Sequence, residues 1–319
     1  LAQSLLIELK NQDPACRIDV LIRDEFFPLL DRMPQVARSI PLDMNENGGG
    51  VYECRRIGKN LRKSGYDQAI ILSGLWEDAL IAFFANVSKR TGYLKGLGLG
   101  VISDVRPYEE TLLPLTIQKY VALGLDKSES LPPDCPLPEL DISLHNQLRV
   151  AEKFSIHRSS RPVLGFCLGS EFGLANQWST ENFVAIAREK YTQGWDVWLF
   201  GNDENSRERS KAICKEVSIC QDFSECADFG ETIDLLSMTD VVLTNNSGLM
   251  YIASALKKNV LAIFGAANRK NSISLNPAVK IFYEDLECAP CLQTSCEFHH
   301  YQCLNQIAPD RILAAMAEL

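Results

Sequence analysis

The chain has 319 residues, is 46% hydrophobic and 23% charged, and carries a net charge of −9. That is ample material for two packed domains. The acidic balance excludes bulk nucleic acid as a partner, and no apolar run approaches the ~20 residues needed to span a bilayer. The eleven cysteines are odd in number, and Cys167, Cys214 and Cys220 sit in apolar runs. This usage reads as reduced thiols in a cytoplasmic protein, not as a disulfide framework, and the first residues do not read as a secretory signal.

Residue 1 already lies in a helical pattern, Leu1, Leu5, Leu6 and Leu9. An α/β domain normally opens with a strand, so the N-terminal sheet is expected to lack its first strand. Residues 18–22 then read as a strand, 27–33 as a short helix and 37–42 as a second strand. A helix over 53–64 is closed by Gly65, and 66–72 is another strand. Helical spacing follows over 77–86 and 116–125. The Pro-dense stretch 131–138 reads as a linker. The helix predicted over 143–154 belongs to either side of it.

The alternation is clearer downstream. Strands are predicted at 163–167, 195–201, 241–244 and 260–265. Helices are predicted at 180–193, capped by Ser179 or Thr180 and stopped by Gly194, and at 205–217, 232–238, 249–256 and 309–319. Strand–helix alternation in both halves favours parallel sheets.

Two turns carry the functional signal. Val241-Val242-Leu243 leads into Thr244-Asn245-Asn246-Ser247-Gly248, and a helical pattern with Tyr251 leads out. Upstream, Gly165-Phe166-Cys167-Leu168 leads into Gly169-Ser170-Glu171-Phe172-Gly173. A polar, Gly-containing turn between a buried strand and a helix presents backbone N–H groups at a positive helix end, where phosphates bind. Two such turns in one half of a chain point to a nucleotide-bearing ligand.

These residues, with Trp178, Arg90-Thr91-Gly92, Asp104-Val105-Arg106 and Lys119-Tyr120, resemble the bacterial ADP-heptose:lipopolysaccharide heptosyltransferases of glycosyltransferase family 9, most of all heptosyltransferase II. The resemblance runs in order along nearly the whole chain. It implies a GT-B architecture, two Rossmann-like domains facing a cleft. The acceptor-side domain would be 1–140, incomplete at its start, and the nucleotide-sugar domain 141–319. It also implies inverting transfer without a catalytic metal or cofactor, from ADP-heptose or another nucleotide-sugar to the lipopolysaccharide inner core. A monomer, with peripheral contact at the cytoplasmic face of the inner membrane, is the form expected. On the donor side it implicates Gly169, Ser170, Asn176, Asp203, Thr244, Asn245, Asn246, Ser247, Gly248 and Tyr251. On the acceptor side it implicates Trp76, Arg90 and Lys95.

The chain departs from the family pattern at chemically important positions. The second signature of the family reads Asn-Asp-Ser-Gly-Leu-Met-His, and here Asn246 replaces the Asp and Tyr251 the His. Asn176 stands where the family has a phosphate-facing lysine, and Gln177 replaces a usual arginine. Residues of the family pattern are missing between Gly230 and the helix at Ile233, and the Gly-Asp turn that the resemblance assigns the base is expected before Leu1. Reduced or lost transfer is therefore expected, because a lost base alone costs ~10²–10⁴ in rate. A relic that binds a nucleotide or sugar without catalysis is the alternative.

Several other features have plain readings. Glu77-Asp78 suits the acidic first turn of a helix. Trp76 fits a sugar-stacking or a packing role, while Arg90 and Lys95 fit a solvated surface as well as an anionic acceptor. Cys288-x2-Cys291-x4-Cys296-x6-Cys303, with His299 and His300 nearby, has metal-ligand character but irregular spacing. A reduced thiol cluster without catalytic metal is the expectation.

Overall fold

The computed structural model describes residues 1–44, 50–93, 100–156, 160–170, 173–268 and 276–319. The chain forms two compact units, Leu1–Pro136 and Leu137–Leu319.

In the first unit, α1 (Gln3–Gln12) precedes β1 (Ile18–Ile22), α2 (Phe27–Leu30) and β2 (Val36–Pro41). Next come α3 (Gly50–Leu61), β3 (Gln68–Ile71), α4 (Trp76–Phe84), β4 (Lys89–Tyr93), β5 (Asp104–Arg106) and α5 (Thr116–Gly124). β1 pairs in parallel with β2, and β3, β4 and β5 form a separate parallel sheet in that order. Among the described residues β1 and β3 therefore each pair on one side only. The Tyr66 hydroxyl, just ahead of β3, donates to Asp19 Oδ2 on β1 at 2.7 Å.

The predicted helices of this unit hold to within a few residues. Glu77 and Asp78 occupy the first turn of α4, where carboxylates oppose the positive helix end. The sequence reading missed β4 and β5. Lys89-Arg90-Thr91-Gly92-Tyr93 has neither a continuous apolar run nor clean alternation, and only its C-terminal part is buried.

The second unit begins with α6 (Leu144–Lys153), which Ser143 caps by accepting from the Asn146 N–H. The alternation continues through β6 (Val163–Cys167), α7 (Thr180–Thr192), β7 (Asp196–Phe200), α8 (Glu204–Glu216), β8 (Gln221–Asp222), α9 (Phe229–Leu236) and β9 (Val241–Asn245). It ends with α10 (Gly248–Ala255), β10 (Asn259–Ile263), β11 (Val279–Phe282) and two helices at Gln302–Asn305 and Pro309–Met316. Six parallel strands lie in the order β11-β10-β9-β6-β7-β8. β6, β7, β9 and β10 are apolar runs buried on both faces, as expected of a parallel sheet covered by helices.

Helix α6 packs on α9, which settles the side of the linker to which it belongs. Lys153 Nζ meets both Glu231 carboxylate oxygens at 2.6 and 2.7 Å, and Gln147 donates to Ser237 at 2.9 Å. Near Gly230, where residues of the family pattern were expected to be missing, the chain forms the start of α9. Asp228 and Glu231 form a reciprocal capping box, so the helix opens at Phe229 without a gap. The Asp-x-x-Glu spacing was the available signal.

Candidate functional site

The strand order places a topological switch between β6 and β9. From β6 the chain runs outward through β7 and β8, then returns to the other side of β6 to lay down β9, β10 and β11. Loops leaving the C-terminal ends of β6 and β9 must diverge, and the crevice between them is where open α/β sheets bind ligands. The two Gly-containing turns singled out in the sequence leave these two strands.

Asn245 ties the turns together. Its Nδ2 donates to the carbonyls of Leu168 at 3.0 Å and Gly169 at 3.3 Å, and its Oδ1 accepts the Trp178 N–H at 3.0 Å. A side chain with all these positions engaged is a strut, and it is fully buried. Thr244 is equally buried. Its hydroxyl donates to the Asn245 carbonyl at 2.7 Å and lies 3.2 Å from the Ser247 hydroxyl. Ser247 is the N-cap residue of α10 but makes no side-chain cap bond. Among the described residues the first turn of α10 therefore receives no cap from its N-cap side chain, and Gly248 in that turn is exposed.

On the facing turn, Gly169 and Ser170 are half-buried. A Cβ built on Gly169 would stand 3.2 Å from Asp203 Oδ2, a tight contact with the end of an exposed side chain. Asp203 is the exposed N-cap of α8, and its Oδ1 accepts the Ser206 N–H at 2.8 Å. Cys167 lies beneath the turn, and burial pushes its thiol far above the usual range, so it is not a nucleophile.

Asn176 does not project into the crevice. It is fully buried, its Oδ1 accepts the N–H groups of Gly265 and Ala267 at 3.3 and 2.9 Å, and its Nδ2 has no hydrogen-bond partner among the described residues. The side chain fastens the turn after β6 to the turn after β10. Asn246 is also buried, its backbone N–H donating to Ile263 at 3.1 Å. Tyr251 is half-buried on α10.

Arg209 is a residue that the sequence reading missed. It lies on the buried face of α8 with Ser206, Ser210 and Ile213. Its guanidinium donates to the Leu168 carbonyl at 2.8 Å, to Thr180 Oγ1 at 3.2 Å and to the Trp178 carbonyl. Both ends of the donor turn therefore hang on one cation. Burial lowers its pKa to about 10 against the pull of Asp203 and Glu181, so it stays charged at neutral pH. An arginine on the inward stripe of a helix, three residues after one buried serine, was the signal.

The acceptor-side candidates lie in the first unit. Trp76 opens α4 and is 41% exposed. The Arg90 guanidinium donates to the carbonyls of Val101, Val87 and Ser88 and lies over the Phe83 ring, so it braces its own unit. Lys95 lies outside the described residues.

The glycosyltransferase family 9 (heptosyltransferase) model matches residues 54–302. The chain belongs to glycosyltransferase family 9. It is 29% identical to lipopolysaccharide heptosyltransferase 2 of Salmonella typhimurium, over all of this chain and 94% of that protein. It is 31% identical to lipooligosaccharide heptosyltransferase 2 of Haemophilus influenzae, over all of this chain and 95% of that one. The structure of E. coli ADP-heptose lps heptosyltransferase II superposes with a TM-score of 0.87 at 28% identity, covering 99% of this chain and 93% of that one. This family 9 member thus has the GT-B heptosyltransferase fold. Among its described residues no helix is long and apolar enough to cross a membrane.

Proposed function

We propose that this glycosyltransferase moves heptose from ADP-heptose to the lipopolysaccharide inner core, more slowly than relatives with the full signature. The observation that carries this reading is the crevice at the β6–β9 switch. The first turn of α10, without a cap from its N-cap side chain, and the backbone of Gly169-Ser170 border it, as a leaving pyrophosphate requires. Family membership and the names of the relatives supply the sugar and the acceptor class. Inversion without a catalytic metal, a monomeric state, and work at the cytoplasmic face of the inner membrane complete the proposal by resemblance.

Donor contact is assigned to Gly169, Ser170, Ser247, Gly248, Asp203 and Tyr251. Thr244, Asn245, Asn246 and Asn176 shape the turns from beneath. Trp76 and Lys95 remain the acceptor-side candidates, with Arg90 as a brace. Slower transfer follows from two positions. Asn176 is inside the fold and brings no cation to the phosphates, and Asn246 brings no carboxylate.

The same two positions favour a second reading, a protein that binds the nucleotide without transfer. ADP release with ADP-heptose and a heptose-bearing acceptor separates the two. Slow release that rises about tenfold or more in Asn246→Asp supports the transferase. ADP binding with no release in either protein supports the second reading. Failure to bind ADP at all overturns both.

A further inference from the structure

The first unit carries a concentration of positive charge at odds with the chain as a whole. The net charge is −9, yet residues 50–64 hold five Lys and Arg side chains against one acid, Glu53. They fall on α3 and on the single turn Arg62–Ser64 that follows it. The inner face of α3 is made by Cys54, Ile57 and Gly58, all buried. Tyr52, Arg55, Arg56, Lys59 and Lys63 recur at the three- and four-residue spacing of the opposite face, and all are exposed. Helix α8 shows the ordinary pattern of a solvated face, with Arg207, Glu208, Lys211 and Glu216 mixed in sign.

Most of these cations are uncommitted. Arg56 reaches the Asp43 carboxylate at 3.3 Å, an exposed pair of little strength. Arg62 Nε donates to the Phe84 carbonyl at 3.2 Å and fastens the turn to α4. Among the described residues Arg55, Lys59 and Lys63 have no ion-pair partner.

Helix α4 extends the same surface with apolar groups. α3 and α4 pack closely through Gly58, Ile81 and Phe84, so they lie side by side and their outward faces are continuous. On α4 that face carries Trp76 and Phe83, two helical turns apart and both exposed, with the Arg90 guanidinium 5.5 Å from the Phe83 ring. On α3 it carries the Tyr52 ring, 79% exposed. Aromatic rings beside a row of cations suit the boundary between lipid headgroups and acyl chains. The rings partition into it, and the cations meet the lipid phosphates.

We propose that the outward face of α3 and α4 docks on an anionic phospholipid bilayer. Arg55, Arg56, Lys59 and Lys63 meet the headgroup phosphates, and Tyr52, Trp76 and Phe83 sit at headgroup level. The inference deepens the proposed work at a membrane face and rests on that reading. Charge complementarity selects the occupant. The acidic remainder of the chain is screened beyond about 8 Å at physiological ionic strength, so an anionic surface attracts this face and turns the others away. Each Lys or Arg held near such a surface strengthens binding about fivefold. Docking places Trp76, an acceptor-side candidate, at the surface from which a lipid-linked acceptor emerges.

The test is co-sedimentation of the full chain, without nucleotide, with vesicles of mixed phosphatidylglycerol and phosphatidylcholine, against phosphatidylcholine alone. Neither vesicle contains lipopolysaccharide. Binding at least tenfold tighter to the anionic vesicles, and weakened by added salt, is expected. Lys59→Glu/Lys63→Glu should bind at least tenfold more weakly, whereas Lys211→Glu/Lys215→Glu, on α8 of the second unit, should bind as the parent does. If the first of these does not fold, Lys59→Gln/Lys63→Gln carries the same expectation. No binding to anionic vesicles, equal binding to neutral ones, or undiminished binding by the Lys59 and Lys63 variants would overturn the proposal. So would binding that arises only when lipopolysaccharide is added, which would make the face an acceptor contact. ADP release with a soluble heptose-bearing acceptor needs no vesicle. Release that persists while vesicle binding fails sinks this proposal alone and leaves the proposed transfer standing.

Discussion

Asn245 and Arg209 show how single side chains can govern a site without touching its ligand. Asn245 joins the β6 and β9 turns by three hydrogen bonds, and Arg209 holds the carbonyls at both ends of the first turn. Asn245→Ala leaves the Trp178 N–H and the Leu168 carbonyl competing for fewer partners in a dry interior. A loss of about 2–4 kcal/mol in stability is expected from urea unfolding. Arg209→Met should weaken ADP binding about tenfold or more by calorimetry, since the loosened turn has to be ordered again on binding. Unchanged ADP affinity in the Arg209 variant would show that the turn is held by other means. In the first unit, Asp104 carries a pH signal. Burial raises its pKa, but hydrogen bonds from Lys127, Arg106 and Thr91 overcome this and hold it below the ordinary aspartate range. A carboxyl lowered on folding stabilises the protein above its unfolded pKa and loses that contribution as pH falls through the folded value. Asp104→Asn should therefore destabilise at pH 7 and converge with the parent protein once the pH has fallen through the lowered folded value, in thermal melts.

Among the elements, the contact of α3 with α4 is the most exacting. Gly58 sits on α3 where a Cβ would come within 2.5 Å of the Ile81 carbonyl and 2.6 Å of Phe84 Cβ. Neither is the free end of a flexible side chain, so the helices would have to separate. Gly65, which ends the following turn at φ +65°, has open space around it. Gly65→Ala costs only the left-handed backbone term, about 1 kcal/mol. Gly58→Ala should cost more, about 2–3 kcal/mol, through overpacking. Measuring both by chemical unfolding checks the order, and a Gly65 variant less stable than the Gly58 variant would contradict the helix contact. The capping boxes at Asp203 and Asp228 explain where α8 and α9 begin, and each cap is worth roughly 1 kcal/mol.

Across the whole molecule, the two units differ in how they are built. The second holds one broad core in which Leu164, Phe166, Phe183, Leu243, Leu261 and Ile263 share a continuous cluster. The described core of the first is divided into small clusters around Leu123, Ile57 and Ile71, and its strands fall into two separate sheets. A divided core buries less apolar area per residue and exchanges more readily. Hydrogen exchange in rising urea should therefore show the first unit opening before the second. ADP at a hundredfold excess over its Kd should protect the second unit by about 2.7 kcal/mol and leave the first unchanged. Equal protection of both units would place the nucleotide elsewhere than at the β6–β9 crevice.

The sequence by itself determined the α/β alternation, the strands β6, β7, β9 and β10, most helices, the two polar turns and the family. Each of these rests on neighbours in the chain: apolar runs, caps, glycines and ordered motifs. It missed β4, β5, β8 and β11, because short or partly exposed strands depend on the partner they pair with more than on their own residues. Tertiary structure alone decided what the polar residues of the turns do. Asn245 and Thr244 looked like ligand contacts, yet their hydrogen-bonding groups are satisfied within the fold, across 67 to 77 residues of chain in the case of Asn245. Asn176, read as the place of a lost cation, is buried, and its Oδ1 fastens the turn after β10. For Arg209 the helix stripe signalled an inward arginine but not its partners, two of which are backbone carbonyls that no residue type announces. A buried polar group must find a partner wherever the fold brings one, and that partner is fixed by three-dimensional packing, not by sequence spacing.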